Sequence, residues 1–224
     1  MTPALRHVGT GRHPVVVVDG FSGDVAGVRA LAAALAPFPR AGNYYPGVRR
    51  TLTPADRDGW AYFERTLEAV APFVGGAFDI DSFRVAEASF SIVTASPALL
   101  LPAQRAPHFD SLDPKHLAVM HYLSDTPDTG TAFFRQRATG IEAVDAINVD
   151  AFIVEAKRAG AASSGYIHGS TSAFEEIGRV EGVVDRLVIY SGRLLHSGLI
   201  PEDMIFSADP RIGRLTANLF IQGH

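Results

Sequence analysis

The chain has 224 residues, 47% of them hydrophobic and 20% charged, with a formal net charge of −4; that length and balance fit one soluble domain with a sizeable core. Cysteine is absent, which removes disulfides, thiolate ligands and a cysteine nucleophile together, so a bound metal would have to rely on His, Asp or Glu. The basic residues are scattered arginines apart from Lys115 and Lys157, which argues against nucleic acid or an anionic membrane surface as partner, and no apolar run reaches the length of a membrane span or a signal-peptide core, so a cytoplasmic protein is expected.

The first predicted element is the apolar run His13-Pro-Val-Val-Val-Val-Asp19, a buried strand closed by Gly20. An Ala- and Leu-rich helix follows over 24–35, then a turn-rich aromatic loop, Gly42-Asn-Tyr-Tyr-Pro-Gly47. Thr53-Pro54 reads as a cap and first turn of a second helix that runs to about residue 74. From residue 82 short apolar runs alternate with Gly, Pro, Asp and Ser, which predicts strands over 82–93, 117–123, 131–137, 187–190 and 215–222. Helical patches are expected over 149–158 and, shorter, over 172–177. The pattern is mainly β with flanking helices, a sandwich or jelly roll. It is read as a single domain over 1–224, with residues 1–80 a mostly helical N-terminal support.

The chemistry concentrates in Pro107-His108-Phe109-Asp110. On an extended chain residues i and i+2 share a face, so His108 and Asp110 can reach one metal while Phe109 points away. By itself such a tripeptide is a weak signal. A third ligand is expected from His196, which follows an apolar strand and is bracketed by Gly192 and Gly198. Two imidazoles and one carboxylate leave one side of an octahedral iron open, the facial triad of non-haem iron oxygenases. Alternation along Gly213-Arg-Leu-Thr-Ala-Asn-Leu-Phe220 puts Arg214, Thr216 and Asn218 on one face. The forked guanidinium of Arg214 suits the far carboxylate of 2-oxoglutarate, with Thr216 or Asn218 adding a hydrogen bond. Arg211 is a rival placed in a turn. Tyr122 alternates with His121 along its strand; it is either a contact of the bound acid or a core tyrosine, and His121 is a packed sheet histidine. His168 reads as a surface residue. Arg135 and Arg137 suit either the cavity mouth or an edge strand, Gln104 is a candidate neighbour of the triad, and the Tyr44-Tyr45 loop is either a lid or a turn.

These motifs together resemble the prolyl-4-hydroxylase-like branch of the 2-oxoglutarate/Fe(II) oxygenases. The resemblance lies in the H-x-D, the Tyr-Leu-Ser strand end after it, the Asp-Thr-Gly-Thr-Ala-Phe-Phe134 segment, and the late His followed by Gly-Arg. More closely, the chain resembles the DUF6445 proteins through Tyr45-Pro-Gly-Val-Arg49, Pro107-His-Phe-Asp-Ser111, Thr139-Gly-Ile-Glu142 and Gly213-Arg-Leu-Thr-Ala-Asn218. The resemblance spans most of the chain. It implies a double-stranded β-helix, cupin-like, with Fe(II) on His108, Asp110 and His196 and 2-oxoglutarate on Arg214, beside Tyr122. With O2 as second cosubstrate, it implies oxidation, by hydroxylation, of a small molecule, amino acid or peptide side chain, with succinate and CO2 as co-products. In many relatives the arginine follows the second histidine more closely; an inserted loop over 201–212 accounts for the longer spacing here. The ligand carboxylate is present, so a halogenating variant is not expected. Two other readings stand beside this one: a cupin-type metalloprotein with isomerase or lyase chemistry, and a non-catalytic binding protein on the same fold.

Overall fold

The structure is a computed structural model that describes residues 1–42 and 44–224; Asn43, in the aromatic loop expected over 42–47, lies outside the described residues. In chain order the strands and α-helices are β1 (Thr2–Val8), β2 (His13–Asp19), α1 (Val25–Ala34), β3 (Gly47–Thr51), α2 (Arg57–Phe78), β4 (Phe83–Val93), β5 (His116–Tyr122), β6 (Gly130–Gln136), α3 (Val149–Ala162), β7 (Phe174–Glu181), β8 (Leu187–Ser191), β9 (His196–Leu199) and β10 (Leu215–Gly223). A seven-stranded sheet of order β1-β2-β8-β5-β10-β4-β3 faces a three-stranded sheet of order β7-β6-β9, and every pairing within them is antiparallel. The fold is a double-stranded β-helix, as the sequence pattern anticipates.

The large sheet sorts its side chains by the period of two. In β10, Leu215, Ala217, Leu219 and Ile221 turn to the helix side and join Phe90, Ile92, Val119 and Ile189 in one apolar cluster. Helix α2 covers that cluster with Tyr62, Phe63, Val70 and Val74, spaced at three to four residues so that they fall on one stripe. Each such side chain contributes about 1.5–3 kcal/mol by leaving water. The opposite face carries Thr216, Asn218, Ser89, Ser91 and Tyr122, buried and polar. Buried polar side chains thus gather between the two sheets on β4, β5 and β10, beside the apolar Val15, Val17, Val188 and Tyr190 of β2 and β8.

His121 lies on the helix side, 1% exposed. Its Nδ1 meets the Tyr62 hydroxyl at 2.8 Å and its Nε2 meets Asp185 at 2.9 Å. It is the packed sheet histidine expected. Burial lowers its basicity against the opposing pull of Asp185.

Three local readings change and one narrows. The expected helix over 172–177 is strand β7: Phe174 to Glu181 pairs along β6 with a bulge at Phe133/Phe134, and cross-strand packing overrides a short, ambiguous apolar run. Thr53-Pro54 forms a turn ahead of α2, with Asp56 N–H donating to the Thr53 carbonyl, so Asp56 becomes the N-cap and the helix runs on past Pro72 to Phe78. Strands β1 and β3, which lack long apolar runs, complete the two edges of the large sheet. Arg135, open between the cavity mouth and an edge strand, sits on the central strand of the small sheet and bonds Glu142 and Glu175.

Glu142 is a node for this fold. It accepts hydrogen bonds from Thr10 N–H and Oγ1, Gly11 N–H and Arg135, and His13 lies 3.2 Å away. It thereby ties the β1–β2 turn to the small sheet. Desolvation pushes its carboxyl up, but the Gly11 and Thr10 amides and Arg135 override that and bring it down to about 2. A carboxylate depressed by folding stabilises the protein above its ordinary range near 4.5 and loses that contribution as pH falls towards about 2. Glu142→Gln is expected to cost about 1–3 kcal/mol at neutral pH, since the Thr10 and Gly11 amides and the partly exposed Arg135 lose their charged acceptor. Thermal unfolding of the two proteins from pH 7 to 2 should show the gap closing only below pH about 4.5; a gap constant with pH would contradict this account.

Candidate metal centre and acid-binding cavity

The metal site begins with a single bridge between two otherwise separate segments. His108 and His196 exchange backbone hydrogen bonds, both 2.9 Å, which docks the 107–110 segment beside β9. The segment is extended without forming a regular strand. Asp110 N–H then donates to the Gly192 carbonyl at 2.7 Å. A Cβ at Gly192 would sit 2.6 Å from the His116 ring and 3.4 Å from Asp110 Cβ, so glycine lets the β8–β9 turn pass this close. Phe109 points the other way, edge-on to Phe152 of α3 at 5.7 Å.

One ligand atom from each of His108, Asp110 and His196 lies within 4.8 Å of the others. His108 Nε2 is 3.7 Å from Asp110 Oδ1, and His196 Nε2 is 3.4 Å from Asp110 Oδ2. Donors about 2.1 Å from a metal at right angles stand about 3 Å apart, so the set is close to facial spacing. His196 Nδ1 faces the Leu194 carbonyl at 2.8 Å. That contact requires a proton on Nδ1 and leaves the Nε2 lone pair for a metal. The ring also packs edge-on to Tyr190 at 4.8 Å, which fixes its plane. Desolvation, then the charge of His196 and more weakly of Arg49, lowers His108 against the opposing pull of Asp110, with about half of its side chain still open to solvent. It is thus neutral, the form that ligates.

Across the cavity, Arg214 precedes β10 and is 5% exposed. Nη2 makes one long contact to the Gly130 carbonyl, 3.4 Å, and the guanidinium stands 5.7 Å from the Tyr122 ring centre. Its Nε has no hydrogen-bond partner among the described residues, and no carboxylate forms an ion pair with it there. Tyr122 hydroxyl meets Thr131 Oγ1 at 2.7 Å, and Asn218 Nδ2 donates to Thr216 Oγ1 at 3.2 Å. Burial raises Tyr122, against the opposing pull of Arg214. The register places Tyr122 beside Thr216, and Met120 beside Asn218, so all four residues expected around the acid share the inner face.

Other expectations separate. Arg211 is exposed and turns to Asp209 at 3.4 Å. Residues 200–214 bridge β9 to β10 and tuck Ile200 and Met204 against Val93, Leu100 and Tyr166, which accounts for the long spacing from His196 to Arg214. Gln104 lies away from the triad and donates to the Tyr44 carbonyl at 2.8 Å. Tyr44 is exposed, whereas Tyr45 packs inward against the same cluster as Tyr166. His168 is exposed.

Sequence reasoning missed three inward groups. Arg49 of β3 and Glu87 of β4 pair at 3.2 Å, Arg49 Nε donates to Ser91 Oγ at 3.0 Å, and the guanidinium lies 4.7 Å from the Tyr45 ring centre. The signal for the β4 groups is readable: Glu87, Ser89 and Ser91 are polar at alternate positions of a strand whose other face is Ala88, Phe90 and Ile92.

The family profile that matches residues 1–221 is that of a family of unknown function, DUF6445. The chain belongs to the DUF6445 family. No curated protein sequence matches it. Among solved structures, the non-haem alpha-ketoglutarate-dependent epimerase SnoN from nogalamycin biosynthesis aligns over 95% of this chain and 80% of its own at 14% identity and a TM-score of 0.58. HygX from Streptomyces hygroscopicus, with iron bound, aligns over 93% and 82% at 14% identity and a TM-score of 0.54. The carbocyclase SnoK, also alpha-ketoglutarate dependent, aligns over 94% and 80% at 13% identity and a TM-score of 0.50. At such identities the likeness establishes the 2-oxoglutarate oxygenase fold for this DUF6445 chain. No helix among the described residues is long and apolar enough to cross a membrane.

Proposed function

We propose that this DUF6445 protein is an Fe(II)- and 2-oxoglutarate-dependent oxygenase acting on a small molecule, amino acid or peptide side chain. The observation that carries the reading is the presence of two features between the sheets: three convergent donor atoms, and a buried arginine whose Nε lacks a partner among the described residues. Either alone is ordinary. Together they match the two ends of a short 2-oxo diacid. The donor set also fits the ion: two neutral imidazoles and a carboxylate leave a divalent iron positively charged and open on one side. HygX described with nickel and 2-oxoglutarate, and SnoN with Fe3+ and alpha ketoglutarate, have the same fold and support the assignment.

In this reading His108, Asp110 and His196 hold the metal, and Leu194 keeps His196 in the ligating tautomer. Arg214 pairs with the far carboxylate of 2-oxoglutarate, and Tyr122, Thr216 and Asn218 line its path. When bound, the iron couples O2 activation to decarboxylation of the oxo acid, giving succinate, CO2 and an oxidised substrate. The closed inner wall of Tyr190, Phe133 and Leu194 keeps bulk water from the back of the site.

Anaerobic addition of Fe(II) and then 2-oxoglutarate should produce a weak visible charge-transfer band. Protein proven to contain iron that shows no band would sink the proposal. The second reading is an oxidative outcome other than hydroxylation, favoured by an epimerase and a carbocyclase among structures of this fold. Product mass separates them: hydroxylation adds one oxygen, ring closure removes two hydrogens and epimerisation leaves mass unchanged. A cupin-type isomerase or lyase would form no succinate.

A further inference from the structure

The inner face of the large sheet carries, across β3 and β4, an ion pair that the proposed chemistry leaves unused. Arg49 stands opposite Ser91, and Ser91 opposite Thr216, so it belongs to the inner face. Its side chain runs along β4 to meet Glu87, four residues from Ser91 in the direction away from Arg214. Glu87 stands opposite Phe220, whose ring stacks on His116, and the backbone of His116 is tied through Gly192 to Asp110, so the pair extends from the level of Ser91 towards the metal end. Arg49 is 12% exposed and Glu87 34%. A partly buried pair of this kind adds little net stability, because desolvation offsets the attraction. Stability therefore does not account for a charged pair on an inward face.

Its hydrogen bonding is also half complete. Arg49 uses Nε on Ser91 and Nη1 on Glu87, while Glu87 takes both Arg49 and Ser89 on Oε1. Nη2 of Arg49 and Oε2 of Glu87 have no partner among the described residues, and neither is a buried unpaired atom, so both keep access to solvent. One unengaged cationic donor beside one unengaged anionic acceptor is the complement of a carboxylate beside an ammonium. Charge balance favours the same ligand. In the proposed complex the divalent metal and Arg214 offset Asp110 and the doubly charged oxo acid, so a net-neutral zwitterion enters without an unpaired charge.

We propose that Arg49 and Glu87 form the specificity site for the substrate, a free α-amino acid, with Arg49 on its carboxylate and Glu87 on its ammonium group. This rests on the cosubstrate reading above. The pair holds the backbone end of the amino acid at the edge of the sheet and leaves its side chain facing the metal.

The test uses full-length protein loaded with Zn(II), with and without 2-oxoglutarate, and ligand-observed NMR with the common L-amino acids, their methyl esters and their N-acetyl derivatives. At least one amino acid is expected to bind, with its ester and its N-acetyl form each at least about tenfold weaker, the loss of one charge-assisted hydrogen bond. R49Q should abolish the preference for acid over ester, and E87Q the preference for amine over amide. Both variants should bind 2-oxoglutarate as the wild type does, which also shows that they fold. If wild-type protein fails to bind 2-oxoglutarate, the cosubstrate reading falls. If 2-oxoglutarate binds but no amino acid does, or if R49Q keeps the acid-over-ester preference, the assignment of Arg49 and Glu87 falls alone.

Discussion

Asp110→Asn is expected to weaken Fe(II) binding by more than about 100-fold and to reduce 2-oxoglutarate turnover to background, with the fold intact. Removing groups that merely orient metal ligands costs about 10–100-fold in affinity, so loss of the single anionic ligand should exceed that range. Asparagine keeps the shape and the Asp110 N–H to Gly192 bond, and the site is open to solvent on the His108 side; the stability change should stay within about 0.5 kcal/mol. His196→Ala should remove the metal as completely but also destabilise the protein by about 2 kcal/mol. It leaves the Leu194 carbonyl without its donor and empties space beside Tyr190. Comparing bound iron after anaerobic equilibration with the unfolding temperature of each variant separates the two effects. An Asp110→Asn protein that binds iron like the wild type and still makes succinate would remove the triad from the mechanism.

That experiment bears on the part of the site most legible in the sequence. His108 and Asp110 were readable because period-two geometry needs only two residues of extended chain, and one bridge to His196 supplies it without a regular strand. Arg214, Thr216 and Asn218 were readable because β10 alternates cleanly between apolar and polar positions. The strands of the large sheet with long apolar runs were legible for the same reason. Strand β7 was not. Its sequence, Phe-Glu-Glu-Ile-Gly-Arg-Val-Glu, is largely polar and has one apolar residue every three, which mimics a helix until β6 pairs with it. Arg49 was invisible for a different reason. Nothing local to β3 says that its partner strand will be β4, or that Glu87 will lie within reach. Arg135 stayed open in the sequence because Glu142, seven residues on, decides its direction through contacts that originate at Thr10 and Gly11. Residues whose orientation is set by their own strand's alternation could be read, whereas those oriented by a partner distant in sequence could not.

Arg214→Met should weaken 2-oxoglutarate binding by roughly 150-fold, which corresponds to about 3 kcal/mol for breaking a buried charge pair. Fe(II) affinity should not change, since the triad lies across the cavity. Stability of the cosubstrate-free protein should be unchanged or raised by about 1 kcal/mol. In that state the guanidinium is buried with one long hydrogen bond and no carboxylate among the described residues, and an apolar side chain of similar length avoids the cost of burying the charge. Arg214→Lys should not restore affinity, because an ammonium lacks the planar fork that meets both carboxylate oxygens. A 2-oxo acid without the far carboxylate, such as pyruvate, provides the internal control: wild-type protein should prefer 2-oxoglutarate strongly, and Arg214→Met should bind the two almost equally. Arg211→Ala, at an exposed side chain turned to Asp209, should leave that preference intact. Calorimetric titration of both acids into the metal-loaded variants decides the matter. A preference lost in Arg211→Ala but kept in Arg214→Met would transfer the anchor to the loop, and with it the longer spacing after His196 would cease to be a simple insertion.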